Sequence, residues 1–141
     1  MLFNITMAMC EHYLYISSND SNHIYPNNNA SDFWIEFPHA ISLLGVWEIA
    51  VIEMNFSSPN TDDFYLLCDA CEVSYINNSY RPVLRNIHSN TSHIIFNHPV
   101  YVKVSRDKLE RLHFYILRES GLSSSFSSET LKCTLHLRKI K

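Results

Sequence analysis

The sequence predicts an all-β protein, a single-domain antiparallel sandwich. Helical periodicity is nearly absent, and short apolar or alternating runs recur about every ten to fifteen residues, which is typical of strands joined by turns. The 141-residue length suits one domain. Apolar residues make up 46% of the chain and aromatic residues 13%, which is the composition of an ordered globular protein.

The first predicted strand, residues 12–17, alternates in character. Tyr13 and Tyr15 fall on one face, and apolar aliphatic side chains fall on the other. An Asn-rich loop follows at residues 19–31, and its Tyr-Pro-Asn-Asn-Asn stretch at residues 25–29 is strong turn chemistry. These features predict an exposed loop between the first two strands.

The next two predicted strands differ in burial. In residues 33–37, a stripe of Phe33, Ile35 and Phe37 alternates with Trp34 and Glu36, which predicts one buried face. The run at 47–56 is the longest, and both of its faces are mostly apolar, with Trp47, Ile49 and Val51 on one face and Ala50, Ile52, Met54 and Phe56 on the other. A central position in the sandwich follows for this strand.

Further strands are predicted at residues 64–67, 72–76, 93–96, 101–104, 112–117 and 131–140. Residues 106–112 are expected to form a helical turn, residues 81–87 a short irregular piece, and residues 120–128 an exposed loop. Eight or nine strands in a chain of this size favour a jelly roll over a seven-stranded immunoglobulin sandwich.

Charge and cysteine content limit the classes of partner. The net charge is −3 and the 11 Lys and Arg residues are scattered, so no electrostatic footprint for a nucleic-acid backbone is present. The basic end of the chain is interpreted as a charge-protected edge strand, with a phosphate-binding arm as the alternative. Cys68 and Cys71 have Cys-x-x-Cys spacing, but no second pair follows, so these residues, with Cys10 and Cys133, are expected to be free thiols in a reducing compartment. A metal site or disulfide is the alternative.

The N-terminal residues 1–10 have no positively charged start and too short an apolar run for a signal peptide, and are expected to form a flexible arm. No stretch of 18 consecutive apolar residues occurs, so no membrane span is expected. Six Asn-x-Ser/Thr sequons give a minor argument for secretion, and they begin at Asn4, Asn19, Asn29, Asn55, Asn77 and Asn90.

No motif for catalysis is present, so no catalytic, cofactor-binding or metal-binding residue is assigned. The chain has two glycines and lacks Gly-x-Ser-x-Gly, which argues against phosphate-cradling loops and common hydrolase sites. Glu53 lies among apolar neighbours and is expected to meet Arg81 or Arg85. His88, His93 and His98 are interpreted as surface residues, with a pH-sensitive interface as a further hypothesis.

Seven segments in order resemble one protein family. They are residues 13–21 (YLYISSNDS), 25–28 (YPNN), 32–37 (DFWIEF), 44–53 (LGVWEIAVIE), 81–87 (RPVLRNI), 96–104 (FNHPVYVKV) and 135–138 (LHLR). The chain resembles the minor capsid, penton-type proteins of Polinton or Maverick elements and of adintovirus-like viruses. The resemblance spans residues 11 to 139. The chain is shorter than the larger family members, so the presence of a spike or host-binding extension is left open. A copy domesticated by a host genome is the alternative to an active virus.

The resemblance implies a virion structural role. It implies a jelly roll that forms a cyclic homo-oligomer, with a pentamer favoured, and packs with a major capsid protein. The protein would be made in the host cytoplasm, and its assembly could take place in the nucleus. Candidate interface residues are Trp34, Glu36, Tyr25, Tyr80, Glu53 and Arg85.

Two other functions stay open at this point. One is a lectin-like module that binds glycans or a receptor through a concave patch of Tyr25, Trp34 or Tyr80. The other is a secreted or host-adapted effector, which the sequons favour.

Overall fold

The computed structural model describes residues 10–56, 63–88, 91–118 and 130–140. Within these residues the chain forms strands and turns without a helix. The strands are β1 (Glu11–Ser17), β2 (Asp32–Ser42), β3 (Trp47–Phe56), β4 (Phe64–Cys68), β5 (Ser74–Ile76), β6 (Ser79–Arg81), β7 (Val83–Ile87), β8 (His93–Ile95), β9 (Val102–Lys103), β10 (Lys108–Arg118) and β11 (Leu131–Lys139).

The strands form two main antiparallel sheets with a jelly-roll order. One sheet runs β1-β11-β3-β8, with β9 continuing the edge beside β3, and the other runs β2-β10-β4-β7. Each sheet therefore combines strands from both halves of the chain, which is the double Greek-key arrangement of a jelly roll. The predicted all-β antiparallel sandwich is confirmed. A separate two-stranded ribbon, β5-β6, extends from the sandwich.

The core lies between the inner faces of the two sheets. Phe33 of β2 and Phe114 of β10 are fully buried and stack with ring centroids 5.2 Å apart. Leu135 and Leu137 of β11 and Ile49 of β3 are also fully buried, and they belong to the same cluster. Burying each such side chain contributes about 1.5–3 kcal/mol, so this inner layer is the main stabilising feature of the fold.

The long strand β3 is buried on both faces near Ala50, but the predicted division of its residues between the two faces was wrong. The register with β11 shifts between Thr134 and Leu135, which pair with Glu53 and Val51. This bulge reverses the alternation of β3 and turns both Val51 and Met54 toward the core. The predicted central position of the strand is confirmed, because β3 lies between β11 and the β8-β9 edge.

Two segments that were predicted to be helical or irregular are strands. Residues 108–112 belong to β10, and residues 83–87 form β7. In both strands the pairing register shifts, so buried residues lie three positions apart rather than two. The buried pairs are Leu109 and Leu112 in β10, and Leu84 and Ile87 in β7. In β10 this spacing of three imitates a helical period, as in the helical turn that was predicted there, and in β7 it interrupts the alternation expected of a strand.

The turn at residues 25–28 is confirmed, since the Asn28 N–H donates to the Tyr25 carbonyl at 3.1 Å. The predicted loop at residues 120–128 and most of the predicted N-terminal arm lie outside the described residues.

Candidate interaction surfaces

A row of stacked rings covers the outer face of the β2-β10 sheet. Trp34 lies almost parallel to His113, with ring centroids 4.4 Å apart. Tyr25 stacks on Trp34 at 5.9 Å, and Tyr115 stacks on His113 at 5.0 Å. Trp34 shares this face with Glu36, as predicted, but its ring is half-buried between Tyr25 and His113. An incoming partner would therefore meet the edge of the indole ring rather than its face.

Glu36 fixes the end of this row. The Tyr25 hydroxyl donates a hydrogen bond to the Glu36 carboxylate at 2.6 Å, and this bond raises the pKa of Tyr25. Tyr25 in turn raises the pKa of Arg111, its neighbour on β10. The predicted interface residues Tyr25, Trp34 and Glu36 are thus brought together on one surface.

A second aromatic cluster lies on the outer face of the other sheet. His136 of β11 stacks on Tyr13 of β1 at 4.5 Å, and the Tyr101 hydroxyl lies 2.8 Å from His136 Nδ1. The Arg138 guanidinium lies 3.5 Å from the centre of the Tyr101 ring and pairs with Glu48, which raises the pKa of Arg138. Each sheet therefore has a histidine on a central strand within an aromatic cluster. The sequence identified Tyr25, Trp34 and Glu36 but not their partner His113, and it did not predict the cluster around His136, because only the strand register shows which outward side chains meet.

Four histidines pair with carboxylates across neighbouring strands or their ends. The pairs are His136 with Glu11, His113 with Asp32, His93 with Glu53, and His88 with Asp63. They join β11 to β1, β10 to β2, β8 to β3, and the end of β7 to the start of β4. Cross-strand pairs of this kind contribute to sheet stability. In the first three pairs, the histidine lies two residues from the residue that is directly opposite the carboxylate in the neighbouring strand. This spacing would have indicated the pairs from the sequence if the pairing of the strands had been known.

The predicted arginine partner of Glu53 was wrong. Glu53 points from the β3 bulge to His93, because β8 is its neighbouring strand. Arg85 instead lies over the Phe96 ring at 4.2 Å and donates to the His98 carbonyl, and partial burial lowers the pKa of Arg85. Glu53 and Arg85 therefore belong to different contacts.

Tyr80 lies on the β5-β6 ribbon, apart from the other candidates. Its side chain is 74% exposed, and Tyr75 opposite it is 62% exposed. The two rings meet edge to face at 5.7 Å. Asn77 and Asn78 form the turn with positive φ angles of 45° and 64°, which asparagine tolerates better than most residues.

Three cysteines are buried and Cys10 is exposed. Burial raises the pKa of Cys133 to about 12. A hydrogen bond with Cys68 raises the pKa of Cys71 well above its usual value. Within residues 10–56, 63–88, 91–118 and 130–140, no three His, Cys, Asp or Glu side chains are grouped to hold a metal ion.

Two clefts lie beside the loop that joins β1 and β2. A groove of about 600 Å³ runs between β1 and β2 and is lined by apolar side chains that include Leu14 and Phe37. A smaller cavity of about 370 Å³ is lined by residues 24–29, Asp32 and Trp34. The second cavity contains two of the three aromatic residues that the lectin-like hypothesis named.

Comparisons with known proteins give little further information. No protein-family model and no curated protein matches this sequence. Among solved structures, the nucleoplasmin-like N-terminal domain of Drosophila FKBP39 is similar over 96% of each chain, with 7% sequence identity and a TM-score of 0.40. A similarity this weak supports no conclusion about function. In the part of the chain that the structure describes, no helix is long and apolar enough to cross a membrane.

Proposed function

We propose that this chain is a non-enzymatic virion structural protein, a minor capsid protein of the penton type. It self-assembles into a cyclic oligomer, with a pentamer favoured, and packs with a major capsid protein. The proposal is supported by the resemblance of its seven sequence segments to such proteins and by the jelly-roll strand order. Because one fold serves many functions, the strand order alone does not indicate a function, and the exposed surface has to be considered as well.

The β5-β6 ribbon is the observation that carries this proposal. Tyr75 and Tyr80 are 62% and 74% exposed on a ribbon that pairs with neither main sheet, and Val73, which directly precedes β5, is 60% exposed. An isolated two-stranded hairpin is only marginally stable in water, and neighbouring exposed apolar side chains mark interaction surfaces. A neighbouring subunit would bury these side chains and order the ribbon, with the tyrosines as anchors.

The first test is the solution mass of the chain by light scattering over a range of concentrations. We expect a closed oligomer for the native chain and dissociation of that oligomer by Tyr80→Ser. The matched control is Tyr15→Ser, because Tyr15 is 77% exposed on a different surface. A native monomer at every concentration, or equal behaviour of the two variants, would contradict assembly through the ribbon.

A glycan-binding module is the second candidate function. The cavity that contains Tyr25 and Trp34 favours it, because Asn27, Asn29 and Asp32 add polar groups to an aromatic wall. The stacking of Trp34 between two rings weakens it, since neither face of the indole is open to a sugar. A monomeric native chain would give this candidate more weight and make glycan screening the next step.

A further inference from the structure

Among the described residues, one edge of β1 has no strand paired with it. β1 pairs with β11 on one side, and the Ser18 N–H donates to the Leu131 carbonyl at 2.8 Å at the end of this ladder. Alternate residues of an antiparallel strand bond to the same partner, so the even-numbered residues of β1 bond to β11. The backbone groups of Glu11, Tyr13 and Tyr15 therefore point the other way, and none of the described strands pairs with them.

The neighbouring edge of β2 is closed by contrast. The loop at residues 18–31 folds along it, and three side-chain oxygens of the loop accept backbone N–H groups of β2. The bonds run from Asp32 to Asn29 at 3.1 Å, from Trp34 to Asn28 at 2.9 Å and from Glu36 to Ser21 at 2.9 Å. Such capping prevents strand addition. The loop thus protects the β2 edge, whereas no described strand covers the corresponding edge of β1.

The groove beside β1 is apolar with an acidic rim. Its apolar lining includes Leu14, Ile16, Ile24, Ile35 and Phe37. The ionisable groups among its described lining residues, apart from tyrosine, are Asp20, Glu36 and His23, without a Lys or Arg. Glu11 adds a further carboxylate on the outer face of β1, outside the groove lining, where it also pairs with His136. A ligand for this surface needs apolar side chains together with positive charge.

We propose that the open edge of β1 binds an extended peptide segment of a partner protein, in which apolar residues alternate with Lys or Arg. The partner's backbone would pair with Glu11, Tyr13 and Tyr15, as in strand addition. One set of its side chains would enter the groove beside Asp20 and Glu36, and the basic set would lie on the outer face beside Glu11, Tyr13 and Tyr15. The open stretch spans about 17 Å, which fits a partner strand of about five to seven residues.

The charges argue against a second copy of this chain as the occupant. Antiparallel pairing of β1 with β1 of another copy would bring two acidic rims together, with Glu11, Asp20 and Glu36 from each copy. Like charges held close across an interface are unfavourable. A basic segment would instead neutralise the rim. This site is separate from the β5-β6 ribbon and does not depend on the capsid role.

The test uses a fluorescein-labelled Val-Lys-Val-Lys-Val-Lys-Val peptide and the full chain, with binding measured by fluorescence anisotropy. Tyr15→Pro removes an N–H that does not bond to β11, so the ladder is preserved while strand addition is blocked. Tyr15→Ser is the matched control, because it removes the same ring and retains the N–H. We expect Tyr15→Pro to weaken binding at least about tenfold relative to Tyr15→Ser.

The charge requirement is tested with Val-Glu-Val-Glu-Val-Glu-Val, which should bind at least about tenfold more weakly than the lysine peptide. NMR titration of the native chain should shift the amides of Glu11, Tyr13 and Tyr15, which tests the site even if Tyr15→Pro does not fold. Absence of binding, equal binding of the two peptides, or shifts elsewhere would overturn the proposal. So would a native self-association that Tyr15→Pro abolishes, because the occupant would then be a second copy.

Discussion

At the scale of single residues, the chain places the Cys133 thiol in its core and charged groups on its outer faces. Cys133 lies on the inner face of β11 and is 4% exposed. Asp69, at the end of β4, stays partly exposed and binds Arg106 at 2.6 Å, while its second oxygen accepts the His113 N–H. Burying a charge without a partner is costly, so the sulfur at residue 133 stays protonated in the folded protein.

This burial predicts a loss of stability at alkaline pH. The pKa of Cys133 is about 12 when folded, against about 8.5 for an unfolded thiol, so the unfolded chain loses this proton first. The contribution is fully present below pH 8.5 and is lost as the pH rises toward 12. Between pH 8 and pH 10, the unfolding free energy of the native chain should therefore fall by about 1–2 kcal/mol more than that of Cys133→Ala.

Chemical denaturation at the two pH values measures this difference. Cys10→Ala is the control for removing a cysteine, because Cys10 is exposed rather than buried in the core. Equal slopes for the native chain and Cys133→Ala would show that burial of this thiol does not couple folding to pH.

At the scale of strands and loops, the sequence predicted where most strands lie but not where their faces change. β3 was predicted with its observed bounds, because its apolar run is long and ends in turn-forming residues. The register shifts in β3, β7 and β10 were not predictable, since a bulge depends on the partner strand. The same reason explains the site: Tyr25, Trp34 and Glu36 were identified, whereas their partner His113 lies 79 positions after Trp34 in the chain.

The capping of the β2 edge predicts a specific role for Asn28. Its amide oxygen accepts the Trp34 N–H and its amide nitrogen donates to the Trp34 carbonyl, both at 2.9 Å, so the side chain acts like a neighbouring strand. Asn28→Ala removes both bonds and should lower the unfolding free energy by about 1–3 kcal/mol. Asn27→Ala is the control, because the Asn27 side chain is exposed and should change stability by less than about 0.5 kcal/mol.

Urea denaturation of both variants checks this expectation. Equal stability of Asn28→Ala and Asn27→Ala would mean that water replaces the amide at the β2 edge without cost. In that case the loop at residues 18–31 would not be what distinguishes the closed edge from the open edge of β1.

At the scale of the whole molecule, neither sheet can be built from one continuous stretch of chain. β1 and β11 come from opposite ends of the described chain and lie side by side, and β10 joins β2 to β4. Each sheet alone would leave its apolar inner face in water. The two sheets should therefore fold as one cooperative unit.

The two tryptophans allow this prediction to be measured, because each reports on a different sheet. Trp47 is buried at the start of β3 and its indole N–H donates to the Leu44 carbonyl at 3.0 Å, whereas Trp34 lies on the outer face of β2. Trp34→Phe leaves only Trp47 as a probe, and Trp47→Phe leaves only Trp34. In each variant, the fluorescence transition in denaturant should coincide with that variant's circular dichroism transition. Refolding should be slow, on the order of milliseconds to seconds, because the strand pairings are non-local. A fluorescence midpoint that departs from the circular dichroism midpoint would show that one sheet melts before the other. Both midpoints are measured on the same variant, so a change in its overall stability would move them together.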